Sequence, residues 1–528
     1  MDYWAKAARR RDQMTLFSPT LDEMIDEAHP VRLLDEILAT CDWNAWEAHY
    51  HGRRGQPPIH PRVMASLLLY GLTRGFRSSR QLEYCCGHNI DFIWLVEGRS
   101  IDHSTICDFR RQFAKPLKDL FRQVCKIALT MGLIRLGEVT LDGTRVKANN
   151  GRRRTLTAAK LEERLQALDQ QLEQMLREAE QADSAGQPSL AGESSRQLPA
   201  ELAELQQRQA RLQQALEKAR AADAARAKEG LDPKKQPAQV PMTDPDSRVM
   251  PNKEGGYAPN YTPLASADVH RGFLVQADVV ASVNEQTSAV AMMDGVAKDL
   301  GQRPERMLAD GMYATGQNIV DLGLREVELF SPAKSSQPQE GNPARRDDPG
   351  QPVPPEQWDQ LPRNPQSKKL DKSCFVYSEA EDAYYCPQGQ RLDYEQTKSD
   401  VRSGVRVYFR VYRCTACESC PLAAACLQAS AKRGRQISRD PHETKREALA
   451  AKMASEAGRA MYAKRFHAGE VPFAILKRIM GLRQFLLRGL ENVRTEWLWA
   501  CTAFNLNKLG REIARLRAHF AQLALEGV

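Results

Sequence analysis

Apolar positions along this chain fall into three kinds of pattern, and each predicts a different element. Between residues 15 and 130 they recur at helical spacing. "PRVMASLLLYGLTRG" is an amphipathic or buried helix entered from the stop signal "GQPPIH". "SSRQLEYCCGHNIDFIWLVEG" is a second helix, with a serine cap and Glu83 as its capping-box partner. "IDHSTICDFRRQFAKPLKDLFRQVCKIALTMGLI" adds one or two more.

A strand-like pattern follows. One apolar run ends on Asp142 in "RLGEVTLDGTRVKANNGRRR". "NYTPLASADVH" and "RGFLVQADVVAS" read as a β-hairpin about a His-Arg-Gly turn. "NEQTSAVAMMDGVAKDL" is a helix, "RPERMLADGMYAT" a strand ending on Asp310, and "EVELF" a further strand.

The third pattern is a short heptad seam, with Leu161, Leu165, Leu168 and Leu172 in one run and Leu202, Leu205, Leu212 and Leu216 in the next. "SAGQPSLAGESSRQLP" between them cannot continue a helix, so residues 155–229 form a helical hairpin or a pair of arms that meet between subunits. From Ser331 to about Lys369 the chain is rich in Pro, Gln, Gly and Asp and reads as a mobile linker. A segment rich in Cys and Tyr follows from 370 to 430, and helices close the chain from about 441 to 515.

Composition narrows the class. A chain of 528 residues, 42% hydrophobic and 27% charged, has material for two to four soluble domains. The net charge of +8 suits a polyanionic partner. No run of eighteen apolar residues predicts a membrane span, and "MDYWAKAARRRDQMTLFSPT" lacks the apolar core of a secretion signal, so a cytoplasmic protein is expected. Five of the twelve cysteines fall between 386 and 426, which points to a metal site rather than a disulfide framework. Arg74, Arg77, Arg80, Arg110 and Arg111 on the N-terminal helices fit a helix-turn-helix-like DNA-binding module, or equally a packing domain with ordinary arginines.

The candidate chemistry lies in "VTLDGT" and "MLADGMY", where an aspartate ends an apolar run and precedes glycine. Either "DG" alone is more often a turn. On neighbouring strand ends, however, the two carboxylates could bridge Mg²⁺ or Mn²⁺ and drive in-line phosphoryl transfer. Arg145, Lys147, Arg152, Arg153 and Arg154 follow Asp142 closely and could contact a phosphate backbone, as could Arg483 and Arg488 near the C-terminus.

"YAKRFHAGEVPFAILKR" carries Tyr462, Arg465, Glu470 and Lys477, with six residues between the Glu and the Lys. It resembles the tyrosine-arginine-glutamate-lysine signature of bacterial insertion-sequence DDE transposases. "LDGTRVKANNGRR" and "LADGMYAT" resemble the first-aspartate and second-aspartate strands of that family. "PPIHPRVMASLLLYGLTRGFRSSRQLE" through "IDHSTICDFRRQF" is similar to its N-terminal helical domain, and "CTACESCPLAAAC" to the cysteine-bearing insertion of one branch. The set occurs in the family's order over most of the chain.

The resemblance implies that Asp142, Asp310 and Glu470 form a metal-binding catalytic triad. It implies that Arg465 and Lys477 touch DNA and that Tyr462 positions groups beside them. The implied reaction is metal-dependent cleavage at transposon ends and transfer of the freed 3′-hydroxyl to target DNA, by a homodimer holding both terminal inverted repeats. The implied fold is an RNase H-like α/β mixed-sheet core. Its parts are an N-terminal helical domain (15–130), a first core part (131–331) interrupted by the hairpin (155–229), a Pro-rich and Cys-rich insertion (332–435) and a C-terminal helical part (436–520). Within the insertion, Cys386, Cys417, Cys420 and Cys426 are the favoured structural Zn²⁺ ligands, with Cys414 spare.

On a continuous helix Glu470 and Lys477 would stand about 20° apart, although Gly469 and Pro472 beside the glutamate break or kink such a helix. Two other functions fit the same residues: a non-catalytic DNA-binding or degenerate transposase-derived protein, and a metal-dependent nuclease that cuts without joining.

Overall fold

The computed structural model describes residues 19–50, 57–151, 154–184, 194–228, 232–252, 255–282, 284–332, 341–402, 405–428 and 433–526. Arg152, Arg153 and most of the loop between the two heptad-bearing runs lie outside them. The chain forms two compact units. One is helical and comprises residues 1–133, 472–483 and 494–528; the other comprises 134–471 and 484–493. The C-terminal helices expected to complete the core are therefore divided between the units.

In the helical unit, the helix Pro61–Thr73 is buried along nearly its whole length. Pro61 occupies its first turn, where a missing N–H costs nothing, and the His60 ring caps the amide of Arg62. Trp46 stacks on Phe113 at 4.8 Å and meets Trp499 at 5.9 Å, so the helix Leu490–Glu526 supplies part of this core.

Two of the arginines considered for DNA are internal. Arg77 pairs with Glu496 at 2.6 Å, and the buried Arg110 donates to the carbonyl of Arg77. They support the packing-domain reading, while Arg74, Arg80 and Arg111 stay exposed. The expected capping box does not form. Ser78 caps the helix Ser79–His88 without a side-chain bond, and Glu83 lies too far along the helix to reach back, binding His103 at 3.0 Å instead.

The second unit is built on a seven-stranded mixed sheet. Its strands are β1 (Glu138–Gly143), β2 (Val146–Lys147), β3 (Arg248–Pro251), β4 (Tyr257–Asp268), β5 (Leu274–Val280), β6 (Arg306–Ala309) and β7 (Glu328–Phe330). The β4–β5 pair is the hairpin expected from the alternating pattern, and β4 runs antiparallel to β1. β6 then lies parallel to β1, and β7 parallel to β6. Helices Ser288–Leu300 and Gly316–Gly323 provide the two crossovers, as parallel strands require.

Between β2 and β3 the chain leaves the sheet. Helices Ala158–Ser184 and Ser194–Lys228 bury Leu161, Leu165 and Leu168 against Leu212, Ala215 and Ala219. The antiparallel pairing of Thr155–Leu156 with Val240–Pro241 closes the base. This part of the seam is thus satisfied within one chain, as a helical hairpin.

The cysteine segment forms an antiparallel sheet of β8 (Val376–Ser378), β9 (Ala383–Tyr385), β10 (Arg391–Arg402), β11 (Val405–Arg413) and β12 (Gln436–Arg439), strands the sequence reading did not anticipate. The stretch expected to be a mobile linker is packed onto it over 341–369. Ala344, Val353 and Leu361 are buried with Cys374, Phe375 and Tyr384. Prolines there fix the backbone while its remaining polar groups find partners. The amide of Val353 donates to Pro387 O at 2.7 Å, and Trp358 Nε1 donates to Val353 O at 2.9 Å.

Candidate active site

Strands β1 and β6 are neighbours in parallel register, with Leu141 opposite Ala309. Asp142 and Asp310 each follow those residues, so both carboxylates stand at the C-terminal edge of adjacent parallel strands, where α/β sheets gather ligands. Both also serve their local turns. Asp142 Oδ1 accepts from the Gly143 amide at 2.8 Å, and Asp310 Oδ1 accepts from Met312 N at 2.9 Å, capping the short 3₁₀ turn Gly311–Tyr313. The turn reading and the site reading are compatible, because one carboxylate oxygen makes the turn and the second is left for other partners.

One further partner of Asp142 is a cation. Arg465 Nη2 lies 3.1 Å from Asp142 Oδ2, at the end of the helix Glu456–Ala463 and just before a π-helical turn, Phe466–Glu470. Residues 462, 465 and 469 fall on one helical face, and that face meets β1. A methyl group added at Gly469 would stand 3.8 Å from both Asp142 Oδ2 and Thr140 Cβ, so the turn crosses directly over the strand end. Tyr462 is half-buried on the same face, and burial holds its phenol above the ordinary value, with Arg465 opposing. Glu470, the next residue, is exposed, as is His467. The extra residue of a π turn is what carries the chain past Gly469 and Pro472 without ending the helix.

A carboxylate absent from the sequence reading lies beneath Asp142. Glu285 precedes the helix Ser288–Leu300, and its side chain is only 9% exposed. A Cβ on Gly143 would fall 1.6 Å from Glu285 Oε2, which explains the glycine after Asp142: a side chain there would occupy the space of the carboxylate. Burial pushes the Glu285 carboxyl up to about 7; Arg145 pulls it down, while Asp310 and Asp142 push it further up. No motif marks Glu285: the sequence places it at the start of the helix "NEQTSAVAMMDGVAKDL", the structure starts that helix only at Ser288, and the folded sheet brings the residue next to Gly143.

Arg145, expected at DNA phosphate, turns inward: its Nη1 lies 3.6 Å from Glu285 Oε1 and 2.5 Å from Thr262 Oγ1. Lys147 is half-buried on the edge strand β2 and Arg488 is exposed. The segment after residue 484 joins them, with Phe485 N donating to Lys147 O at 2.8 Å and Arg488 Nε to Asn149 O at 3.2 Å. Arg483, which is exposed, and the half-buried Lys477 belong to the helical unit.

Five of the six cysteines of the insertion, Cys386, Cys414, Cys417, Cys420 and Cys426, line one small cavity of about 20 Å³, together with Phe375 and Arg435. That volume admits about one small occupant. Cys414, considered spare, is among them. A hydrogen bond between the free Cys386 and Cys414 thiols holds Cys386 below the usual thiol value and Cys414 above it, and burial pushes Cys426 up to about 11. Cys374, with Sγ 3.2 Å from Pro362 O, is core as expected. Among the described residues, three potential ligand atoms lie within 4.8 Å of one another at Glu83, Asp102 and His103, where His103 bonds both carboxylates on the surface of the helical unit.

Acidic side chains gathered at parallel strand ends of a mixed sheet, in a chain that also forms a separate helical unit, define a two-unit α/β protein with an acid-lined site. Residues 19–112 match the family model of a transposase domain, and residues 385–510 that of a transposase DDE domain. These two matches, in this order along the chain, support a DDE transposase of insertion sequences. The DDE match contains Tyr462, Arg465, Glu470, Lys477 and the cysteine segment, whereas Asp142 and Asp310 precede it. A comparison with curated proteins finds no match. No helix among the described residues is long and apolar enough to cross a membrane.

Proposed function

We propose that this transposase cleaves DNA at transposon ends and transfers the freed 3′-hydroxyl strand to target DNA, with Asp142, Asp310 and Glu470 as its catalytic acids. The observation that carries this reading is the register of β1 and β6, which sets Asp142 beside Asp310 under the turn that ends on Glu470. The antiparallel β5–β4–β1 portion followed by parallel β6 and β7 supports an RNase H-like core.

A divalent ion suits these residues. Three carboxylates, those of Asp142, Asp310 and Glu285, share one strand-end region, and Gly143 leaves the cradle open. Bound Mg²⁺ or Mn²⁺ would supply polarisation of the scissile phosphate and stabilisation of the leaving oxygen. Asp142 and Asp310 hold their strand-end geometry through the turn amides they cap. Arg465 pairs with Asp142 and orients it, and Tyr462 lies on the same helical face as Arg465. Glu470 faces solvent, where it completes the acid set on the substrate side. Lys147 and Arg488 on the sheet unit, and Lys477 and Arg483 on the helical unit, would contact DNA phosphate. The five-cysteine cavity would hold one structural Zn²⁺. The active species would be a homodimer joining two transposon ends.

The test is a labelled duplex carrying the DNA that flanks the gene, incubated with Mg²⁺ and protein. A nick at the repeat terminus, lost with Asp142→Ala by about a thousandfold or more, and a strand-transfer product are expected. Cleavage without joined product would make the protein a nuclease. Specific binding with no metal-dependent nick would make it a DNA-binding derivative.

A further inference from the structure

The carboxylate of Glu285 invites a structural explanation, as the partner of Arg145. Its contacts argue against that as its whole role. Its two nearest donors, Arg145 Nη1 at 3.6 Å and Tyr313 Oη at 3.5 Å, both stand beyond good hydrogen-bonding distance. A carboxylate more than nine-tenths buried is costly unless well paired. Arg145, meanwhile, makes its short contact elsewhere, with Thr262. The position is also enforced from the other side, because only a glycine at 143 leaves room for Glu285 Oε2. A buried carboxyl group is thus kept against Gly143, next to Asp142, with only long contacts from Arg145 and Tyr313 among the described residues.

We propose that Glu285 is a positioning residue of the acidic site: its negative charge, held under the Asp142–Gly143 turn, tunes the affinity of Asp142 and Asp310 for a divalent cation. This inference rests on the metal-dependent reading above. Glu285 acts through the field at the two aspartates and through the turn it lies against, with Arg145 Nη1 3.6 Å from its Oε1. The field of a charge in a poorly hydrated place is strong, so its loss is expected to weaken binding of a divalent ion about tenfold or more. Loss of shape alone has no such effect.

Charge and shape separate cleanly in two substitutions. Glu285→Gln keeps the shape and removes the charge; Glu285→Asp keeps the charge and shortens the side chain. The measurement is Mn²⁺ binding to the full chain, with no DNA present, by calorimetry and by the paramagnetic resonance of free Mn²⁺. The expected result is a rise in Kd of about tenfold or more for Glu285→Gln and a smaller change for Glu285→Asp. Metal-free thermal unfolding should show Glu285→Gln melting at or above the wild-type temperature, since it removes a buried charge.

Wild-type affinity in Glu285→Gln, or a loss confined to Glu285→Asp, would overturn the proposal and leave Glu285 a packing residue. Asp142→Asn, measured alongside, separates the two readings. If wild type binds Mn²⁺ and Asp142→Asn does not, failure at Glu285 touches only this inference. If wild type binds no Mn²⁺, or Asp142→Asn binds it equally, the metal site at Asp142 and Asp310 falls and this inference falls with it.

Discussion

Gly143 shows how much a single residue can decide. Its missing side chain admits Glu285 on one side, and Leu264 Cδ2 would also come within 2.8 Å of an added Cβ. Neither neighbour can retreat easily, since one is a buried carboxylate and the other a core leucine. Gly143→Ala is expected to destabilise the chain by about 1–3 kcal/mol, seen as a lower urea midpoint at unchanged slope, and to displace Asp142. In the sequence, "DG" read as turn or strand end, and both descriptions are accurate. The aspartates were legible because each closes an apolar run. Glu285 was not, because the sequence places it at the start of a helix and its meaning depends on which strand lies next to it. Arg145 looked like a basic surface residue for the same reason: a charge run does not reveal which of its members finds a buried acid.

At the level of elements, periodicity served well where one face is buried. The β4–β5 hairpin, the Ser288–Leu300 helix and strands β1, β6 and β7 all follow from alternation and turn residues. It failed where composition resembles linker. Residues 341–369 are rich in proline yet cover the β8–β12 sheet, since proline forbids helix and interior strand but not burial. The cysteines were found by spacing, but spacing could not rank five thiols, and Cys414 shares the cavity with the other four. If that cavity holds zinc, metal analysis should find about one ion per chain. A strong chelator should release it and lower the unfolding temperature, and Cys417→Ser with Cys420→Ser should abolish it. A chain that contains no zinc and melts unchanged with chelator would make the cluster a knuckle of buried thiols.

For the whole molecule, the units are not consecutive blocks of sequence. The helical unit draws on residues 1–133 and on 472–483 and 494–528. Its half-buried Arg77 and buried Arg110 depend on that arrangement, the first for Glu496 and the second for the indole of Trp499, which donates to Arg110 O at 3.2 Å. A chain ending at residue 493 should therefore lose the helical unit rather than merely shorten it. Removing Glu496 takes from the Arg77 guanidinium, only 12% exposed, its paired carboxylate, a loss of up to about 3 kcal/mol by itself. The measurable sign is proteolysis of residues 19–130 under conditions that leave the full chain intact. Survival of that region would mean the N-terminal helices hold together without their C-terminal partner.

This interleaving sets an order of events during synthesis. The first 133 residues leave the ribosome early but wait for Glu496 and Trp499, which emerge only after both aspartate strands and the π turn have been made. A message cut short anywhere before that point yields a product with an unfinished helical unit. Such fragments are material for proteases, not long-lived rivals of the full-length protein.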